Sequence, residues 1–400
     1  MSKKRCYKKP NWFIYLIFVL CSKFYSRFVL NLKIKRNEMK KHKGSCVVIA
    51  NHESVIDFMT LAANFPKSHF VISSSFYNTL PIQKLMDSVG VIPKQQFQTS
   101  PKDLKMMKEV VDNNMPLVIY PAGLMSEQGV ATPIPESTGK FLKWLKQDVY
   151  VAKVEGTYLS KPKWSKSTRK GKTFLDVYKL YSKEDLENLN VDEIFDRVNE
   201  VLSFDAYKNQ ERLLVNFKHG DDINGLESVL YQCPKCHKEF QMKVENDNTL
   251  VCQECGNSAL ADTYGFLSKM KESDVIYKHP SDWALSIEKV LMKEIAASDD
   301  FRLKEECEIH LLNKEKYRYE YAGEGEITLD KEKIAFVGEI NGEGTTKEFS
   351  SQMFITLPFV PNKHFDIQEC NVSYRIKLKN AIATTKWIWS IKAIYQLNKK

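Results

Sequence analysis

No run of eighteen or more apolar residues occurs in the 400-residue chain, which excludes a conventional membrane-spanning helix. Nine cysteines are too few for a secreted disulfide scaffold. No fixed period recurs, so collagen, coiled-coil and tandem-repeat architectures are excluded. Arginine is absent between Arg36 and Arg169, so no bidentate guanidinium clamp on a phosphate monoester can come from that stretch. Acid is almost absent from residues 1–44, where ten Lys and three Arg face only Glu38. The remainder holds 46 basic against 49 acidic groups. A basic arm on a near-neutral body does not support a nucleic-acid-binding surface over the whole protein. What is present is ample core material, 43% hydrophobic and 12% aromatic residues, in a length that allows two or three domains.

The basic arm contains a ten-residue apolar run, Trp12 to Cys21. As a helix it rises about 15 Å, half of a ~30 Å hydrocarbon core. Extension to Leu32 would bury Lys23 and Arg27, each at a cost of roughly 2.5–3.5 kcal/mol near mid-membrane. Lys23 and Arg27, with Ser22 and Ser26, form a polar stripe opposite Phe24 and Phe28. The pattern predicts a basic amphipathic helix lying in the headgroup plane of an anionic leaflet. An ordinary core helix is the competing possibility. A secretory signal is disfavoured, because Leu20 precedes Cys21 where cleavage wants a small residue.

Val47-Val48-Ile49-Ala50 suits a buried strand, and a helix is expected to start near Ser54 after the polar turn Asn51-His52-Glu53-Ser54. Further strands are expected at Phe70 to Ile72, Pro116 to Tyr120 and Val149 to Val154, with a helix over Lys102 to Asn113. Such alternation predicts an α/β domain with a mostly parallel sheet flanked by helices, binding ligands at the carboxyl ends of its strands. Beyond Trp164, the turn Arg169-Lys170-Gly171-Lys172 is expected to join two strands, and helices to fill Ser182 to Asn216. From Phe301 alternation dominates, with strands expected at Lys316 to Tyr321, Glu326 to Leu329, Met353 to Leu357 and Val372 to Leu378. A helix around Trp387 closes a small β-rich domain, expected to be a roll or sandwich of pleckstrin-homology type.

The motif N-H-E-S-V-I-D, Asn51 to Asp57, carries the first candidate chemistry. Residues five apart do not share a helix face. His52 must therefore sit in the turn while Asp57 reaches back from the first helical turns. A carboxylate bonded to one imidazole nitrogen fixes the tautomer and leaves the other free as a base. No nucleophile accompanies the pair, which suggests activation of a substrate hydroxyl. A thioester donor has a good leaving group, and backbone donors near a helix start suit the oxyanion.

Residues 45–200 resemble the glycerolipid acyltransferase family, the PlsC-like lysophospholipid acyltransferases. The family's first block, N-H-x-x-x-x-D, is matched by Asn51, His52 and Asp57, with its frequent Ser at Ser54. The resemblance implies that His52 is the general base and Asp57 its orienter. The second block corresponds to Gly90-Val91-Ile92-Pro93-Lys94, without the usual arginine. The third, F-P-E-G-T-R-S in the family, reads Tyr120-Pro121-Ala122-Gly123-Leu124-Met125-Ser126, so Ala122 replaces the acid and Met125 the base. The fourth falls near Val151 to Val154, with Ala152 where proline is common. Asn51, Ser54, Lys94, Pro121, Ala122, Gly123 and Ser126 are thereby implied as substrate-binding positions. The departures bear on the acceptor more than the reaction: Lys94 is the best-placed phosphate ligand, and the acceptor is a lysophospholipid, such as 1-acylglycerol 3-phosphate, or another membrane-held alcohol such as a glycolipid.

Cys233-Pro-Lys-Cys236 and Cys252-Gln-Glu-Cys255 form C-x₂-C–x₁₅–C-x₂-C, the spacing of a zinc ribbon with a structural, fully ligated Zn²⁺. Gly256 lets the second knuckle turn tightly, and His237 is expected to be a bystander. Cys6, Cys21, Cys46, Cys307 and Cys370 lack ligand spacing. Reduced knuckles argue for the cytosol.

The expected organisation is a basic membrane-associating segment (1–40), an acyltransferase domain (41–220), a zinc ribbon (226–265) and a β-rich domain (280–400). The expected activity is transfer of an acyl chain from acyl-CoA or acyl carrier protein to a lipid hydroxyl, at the cytoplasmic face of a membrane, by a peripheral or monotopic enzyme. Two alternatives use the same residues: hydrolysis with water as acceptor, and an inactive lipid- or nucleic-acid-binding adaptor. Acids around the ribbon, among them Glu239, Glu245, Asp247 and Glu254, work against a nucleic-acid partner.

Overall fold

The strand Val47–Ala50 is apolar at every position because both of its faces are covered. Val47 and Ile49 enter one core, and Val48 and Ala50 enter another on the opposite side of the sheet. A computed structural model describes residues 10–65, 67–79, 83–94, 100–316, 318–369 and 372–399. Cys6, Cys370 and the first nine residues of the basic arm lie outside that set. The chain divides into one unit of residues up to Lys163 with Ser167–Gly220, and a second of Trp164–Lys166 with Asp221–Lys400.

The first unit begins with α1 (Trp12–Phe28), β1 (Leu32–Asn37), β2 (Val47–Ala50), α2 (Asp57–Asn64), β3 (His69–Ser73), α3 (Ser74–Thr79), α4 (Gln83–Ser88) and β4 (Ile92–Lys94). It continues with α5 (Pro101–Asp112), β5 (Leu117–Ile119), α6 (Ser137–Leu145), β6 (Val149–Glu155) and α7 (Thr157–Ser160). β7 (Thr173–Tyr181), α8 (Lys183–Asn188), α9 (Val191–Leu202) and α10 (Ala206–Leu213) complete it. The sheet order is β1-β7-β6-β2-β5-β3-β4. Five of its six pairings are parallel, β6 with β7 being the exception. One core packs Met106, Val110, Leu142, Ile194 and Val198 against the sheet. The other packs Tyr15, Val19, Leu61 and Met86. Continuous apolar runs are what a sheet covered on both faces requires.

Helix α1 is capped by Asn11, whose side chain accepts from the backbone N–H groups of Phe13 and Ile14. Its inner face is not the one expected. Ser22 and Ser26 are buried, with Ser22 Oγ donating to Met59 Sδ at 3.7 Å and Ser26 Oγ to the Met59 carbonyl at 3.5 Å. Small hydroxyl side chains let α1 approach α2 closely while satisfying their own donors. Lys23 and Arg27 are exposed beside Phe24 and Phe28, so the expected single polar stripe is split between the two faces.

The turn Arg169–Lys172 does not join two strands; it lies in the loop between α7 and β7, with Arg169 buried. Backbone pairing holds it there: Arg169 N–H donates to the Ser160 carbonyl, and Lys218 N–H to the Lys170 carbonyl, both at 2.7 Å.

The second unit contains β8 (Met242–Glu245), β9 (Thr249–Cys252), β10 (Ser258–Ala261) and β11 (Leu267–Lys269), then α11 (Pro280–Ala297). β12 (Leu303–Asn313), β13 (Arg318–Leu329), β14 (Lys333–Ile340), β15 (Glu343–Ser350), β16 (Phe359–Val360), β17 (His364–Glu369) and β18 (Val372–Leu378) lead to α12 (Thr384–Asn398). The seven-stranded antiparallel sheet has the order β15-β14-β13-β12-β18-β17-β16. β13 merges two of the expected strands. Met353–Leu357 is no strand, because a 3₁₀ turn at Ser351–Met353 ends β15. Leu250, Ala259 and Leu267 of the small sheet share one core with Trp283 of α11, Trp387 and Trp389 of α12, and Phe336, Phe365 and Ile376. The ribbon and the β-rich sheet are therefore packed as one body.

Candidate active site

The turn after β2 is fastened to three other segments. Asn51 uses both amide atoms on one residue of β6, its Nδ2 donating to the Val154 carbonyl and its Oδ1 accepting from Val154 N–H, each at 2.8 Å. Ser54 Oγ donates to the Lys161 carbonyl at 2.6 Å. Ser126 N–H donates to the His52 carbonyl at 3.0 Å. Helix α2 starts at Asp57, three residues later than expected, because Ser54 to Ile56 close a turn first.

That delay aims the Asp57 side chain back at the turn. Its Oδ2 accepts from Ser54 N–H at 2.8 Å and meets His52 Nδ1 at 3.0 Å. Asp57 is fully buried, whereas the His52 side chain keeps 17% of its surface exposed. An ionised carboxylate only accepts, so Nδ1 carries the proton and Nε2 presents a lone pair. The imidazole also stacks on the Tyr120 ring, with centroids 4.1 Å apart and planes 22° from parallel. Burial, with Asp57 nearby, raises the Tyr120 phenol well above its usual range, so it stays neutral. The result is one base of fixed tautomer and orientation.

The third-block loop runs beside this pair. Gly123 N–H closes a turn onto the Tyr120 carbonyl at 2.9 Å, and Gly123 takes φ +68°, which favours glycine. Ser126 Oγ donates to the Val130 carbonyl at 2.7 Å and accepts from Gly129 N–H at 2.9 Å. Ser126, Asn51 and Ser54, expected as substrate contacts, thus spend their polar side-chain atoms on backbone and act as frame. Pro121 is half-buried and Ala122 is buried without charge.

Lys94 ends β4. Paired registers put it opposite Ser73, three residues past Phe70, whose partner on β5 is Val118, itself paired with Val48 on β2. Lys94 is therefore level with the turn at Asn51, three strand spacings or about 14 Å along the same sheet edge. Burial lowers its pKa, and Asp103 opposes that shift.

Residues 31–154 match the family model described as Acyltransferase. That match lies within the first unit and takes in Asn51, His52, Asp57 and the third-block loop. Among solved structures the chain is similar to the 1-acyl-sn-glycerophosphate (LPA) acyltransferase PlsC from Thermotoga maritima, at 17% identity over 51% of this chain and 81% of that one, TM-score 0.42. It is also similar to the Ran binding domain of the nuclear complex component Nup2 from Ashbya gossypii, at 18% identity over 24% of this chain and 92% of that one, TM-score 0.20.

Three features of the acyltransferase domain were not read from sequence. One is the Tyr120 stack. Another is the buried pair of Lys163 with Glu127, 3.8 Å apart, next to Ser126; burial lowers the Lys163 pKa and Glu127 opposes that shift. The third is Glu53, buried at the base of the turn. Nothing local in the sequence signals them, since Glu53, Glu127 and Lys163 lie in polar stretches and are buried only by tertiary folding.

In the second unit, the Sγ atoms of Cys233, Cys236, Cys252 and Cys255 all lie within 4.8 Å of one another, with Cys233–Cys255 and Cys236–Cys252 at 3.7 Å. Tetrahedral zinc with bonds of about 2.3 Å requires S···S separations of about 3.8 Å. The cluster fits. Gly256 takes φ +68° where its N–H bonds the Cys252 carbonyl, the tight second knuckle expected of it.

Proposed function

We propose that the first unit moves a fatty acyl chain from an acyl thioester, acyl-CoA or acyl carrier protein, to a hydroxyl of a lysophospholipid such as 1-acylglycerol 3-phosphate. The observation that carries this is the 3.0 Å contact between His52 Nδ1 and a fully buried Asp57, within a domain matched by the acyltransferase family. The acceptor hydroxyl gives its proton to Nε2 as its oxygen attacks the thioester carbonyl. The tetrahedral intermediate collapses, the C–S bond breaks, and the leaving sulfur takes the proton back from the imidazolium. Asp57 and the Tyr120 face stabilise that transient cation.

Headgroup recognition rests on lysine and backbone amides in place of arginine, with Lys94 at the same end of the sheet as the His52 turn. Purified protein supplied with labelled acyl thioester and a panel of lysophospholipids, glycolipids and water tests this. Product on a lysophospholipid supports the proposal, and Lys94→Met should raise KM for phosphate-bearing acceptors while sparing kcat. Free fatty acid as the sole product would make the enzyme a hydrolase.

The proposed site of action is the cytoplasmic face of a membrane, with the protein peripheral or monotopic. Helix α1 supports this by exposing Trp12, Phe13, Leu16, Ile17, Leu20, Phe24 and Phe28 beside Lys23 and Arg27. No described helix is long and apolar enough to cross a bilayer. Aromatic and basic groups on one outer face suit an anionic interface. Sedimentation with anionic vesicles should be lost when Trp12, Phe24 and Phe28 are changed to Ser; unchanged pelleting rules this surface out. The Cys₄ set would hold Zn²⁺ structurally, since four thiolates leave no open position for substrate.

A further inference from the structure

The turn that presents His52 contains a second carboxyl group that the acyl-transfer chemistry does not use. Glu53 is 1% exposed and reaches the start of α7, just past the end of β6. Its Oε2 accepts from Thr157 Oγ1 at 3.1 Å and from Tyr158 N–H at 3.0 Å. Those donors lie more than a hundred residues along the chain, so the contact ties the His52 turn to a separate element. The other oxygen, Oε1, is buried with no hydrogen-bond partner, and so is Oδ1 of the neighbouring Asp57.

Two buried carboxylates side by side are costly if both are ionised. A charged Glu53 would also compete with the geometry at Asp57, whose single charge orients and stabilises His52. We propose that Glu53 is a positioning residue, a carboxylic acid that braces the His52 turn against α7 without placing a second negative charge beside Asp57. This rests on the acyl-transfer assignment above.

The surroundings agree. The charged groups acting on Glu53 are Asp57 from α2 and Glu155 at the end of β6, and Glu155 is itself ion-paired with Lys35 of β1 and Arg212 of α10. No cation acts on Glu53 directly among the groups that shift it. Burial, reinforced by Asp57, pushes its pKa up to about 8, against the lowering effect of the Tyr158 and Thr157 donors. The group is therefore mostly protonated at neutral pH. The arrangement is also economical in charge: one carboxylate serves the imidazole, and the other serves only the backbone.

The test uses full-length protein with Glu53→Ala and Glu53→Gln, two readouts and His52→Ala as the control for the base. Acyl-transfer kcat at pH 7 should fall about tenfold or more in Glu53→Ala, through misplacement of the base, and Glu53→Gln should recover most of it. The His52 imidazole titration, followed by NMR on histidine-labelled protein, should stay in place in Glu53→Gln, because the amide replaces a neutral acid. A His52 pKa that drops in Glu53→Gln would show a charge had been removed and would overturn the proposal. So would full activity in Glu53→Ala, or equal losses in both variants. If the parent itself transfers no acyl group to any acceptor, the acyl-transfer assignment fails, while the NMR titration still decides the state of Glu53.

Discussion

The two chemical centres of this chain are held together by opposite means. The His52 turn is fixed by the protein's own hydrogen bonds, reaching Val154, Lys161, Ser126 and Tyr158 from four places in the sequence. The four-cysteine cluster has some scaffolding of its own, with Asn257 clamped on Val275 at 2.8 Å and Trp283 Nε1 donating to the Gln232 carbonyl at 3.0 Å, but its sulfurs stand at separations that suit an ion. The proposed base must stay exposed to its substrate, which suits a turn fastened from behind. A structural metal needs no access, so the ion itself can be the fastening.

The largest effect should come from removing that fastening. Metal binding in such sites contributes apparent free energies of about 10–16 kcal/mol. Chelation, or Cys252→Ser, should therefore unfold the second unit, whose core holds Trp283, Trp387 and Trp389. Tryptophan emission that stays blue after chelation would break the contrast. The next effect belongs to the hydrogen-bonded centre. In Asp57→Asn the amide keeps an oxygen for Ser54 N–H but turns its NH₂ toward His52 Nδ1. The imidazole then adopts the wrong tautomer, and kcat should fall about 10²–10⁴-fold with little change in Tm. A variant as active as the parent would mean that Asp57 does not orient the base. A core substitution sharpens the comparison from the other side: Trp387→Ala, removing a buried ring that stacks on Phe365, should cost about 3–5 kcal/mol in denaturant unfolding and leave metal binding in the folded protein intact.

The smallest effect is a pH dependence. Glu53 has a folded pKa raised to about 8. Between its ordinary value and that one, the folded state binds the proton more tightly than the unfolded state. Its contribution to stability is thus full below the unfolded pKa and is lost as pH rises toward 8. Glu53→Gln should remove this slope, so parent and variant curves of stability against pH diverge upward from acid pH. Parallel curves would show that Glu53 is ionised in the folded protein.

The legibility of the two centres in the sequence differs for the same reason that their construction does. Four cysteines in two short knuckles announce their chemistry by local spacing, and so do Asn51, His52 and Asp57. The central strands of the first unit were legible because burial on both faces leaves unbroken apolar runs such as Val47–Ala50, whereas the largely exposed edge strand β1 and the three-residue β4 were not. The partners of Glu53 and the ring under His52 were not, since Thr157, Tyr158 and Tyr120 arrive through tertiary folding. Ser22 and Ser26 misled for a related reason: helical periodicity places them on one face but does not say whether small polar side chains meet water or a neighbouring helix. The Arg169–Lys172 turn was expected to join two strands because its pairing with Ser160 and Lys218 is invisible in the local sequence. Helix α11 carried a start signal, Pro280 at its first turn with Asp282, but lay inside the stretch assigned to the β-rich domain.

The central claim is that His52 Nε2 takes the proton of a lipid hydroxyl during acyl transfer. The direct measurement is the single-turnover rate of product formation by parent and His52→Ala, both checked to melt alike, with the same thioester and acceptor. The parent should exceed the variant by about 10²–10⁴-fold; equal rates would contradict the account.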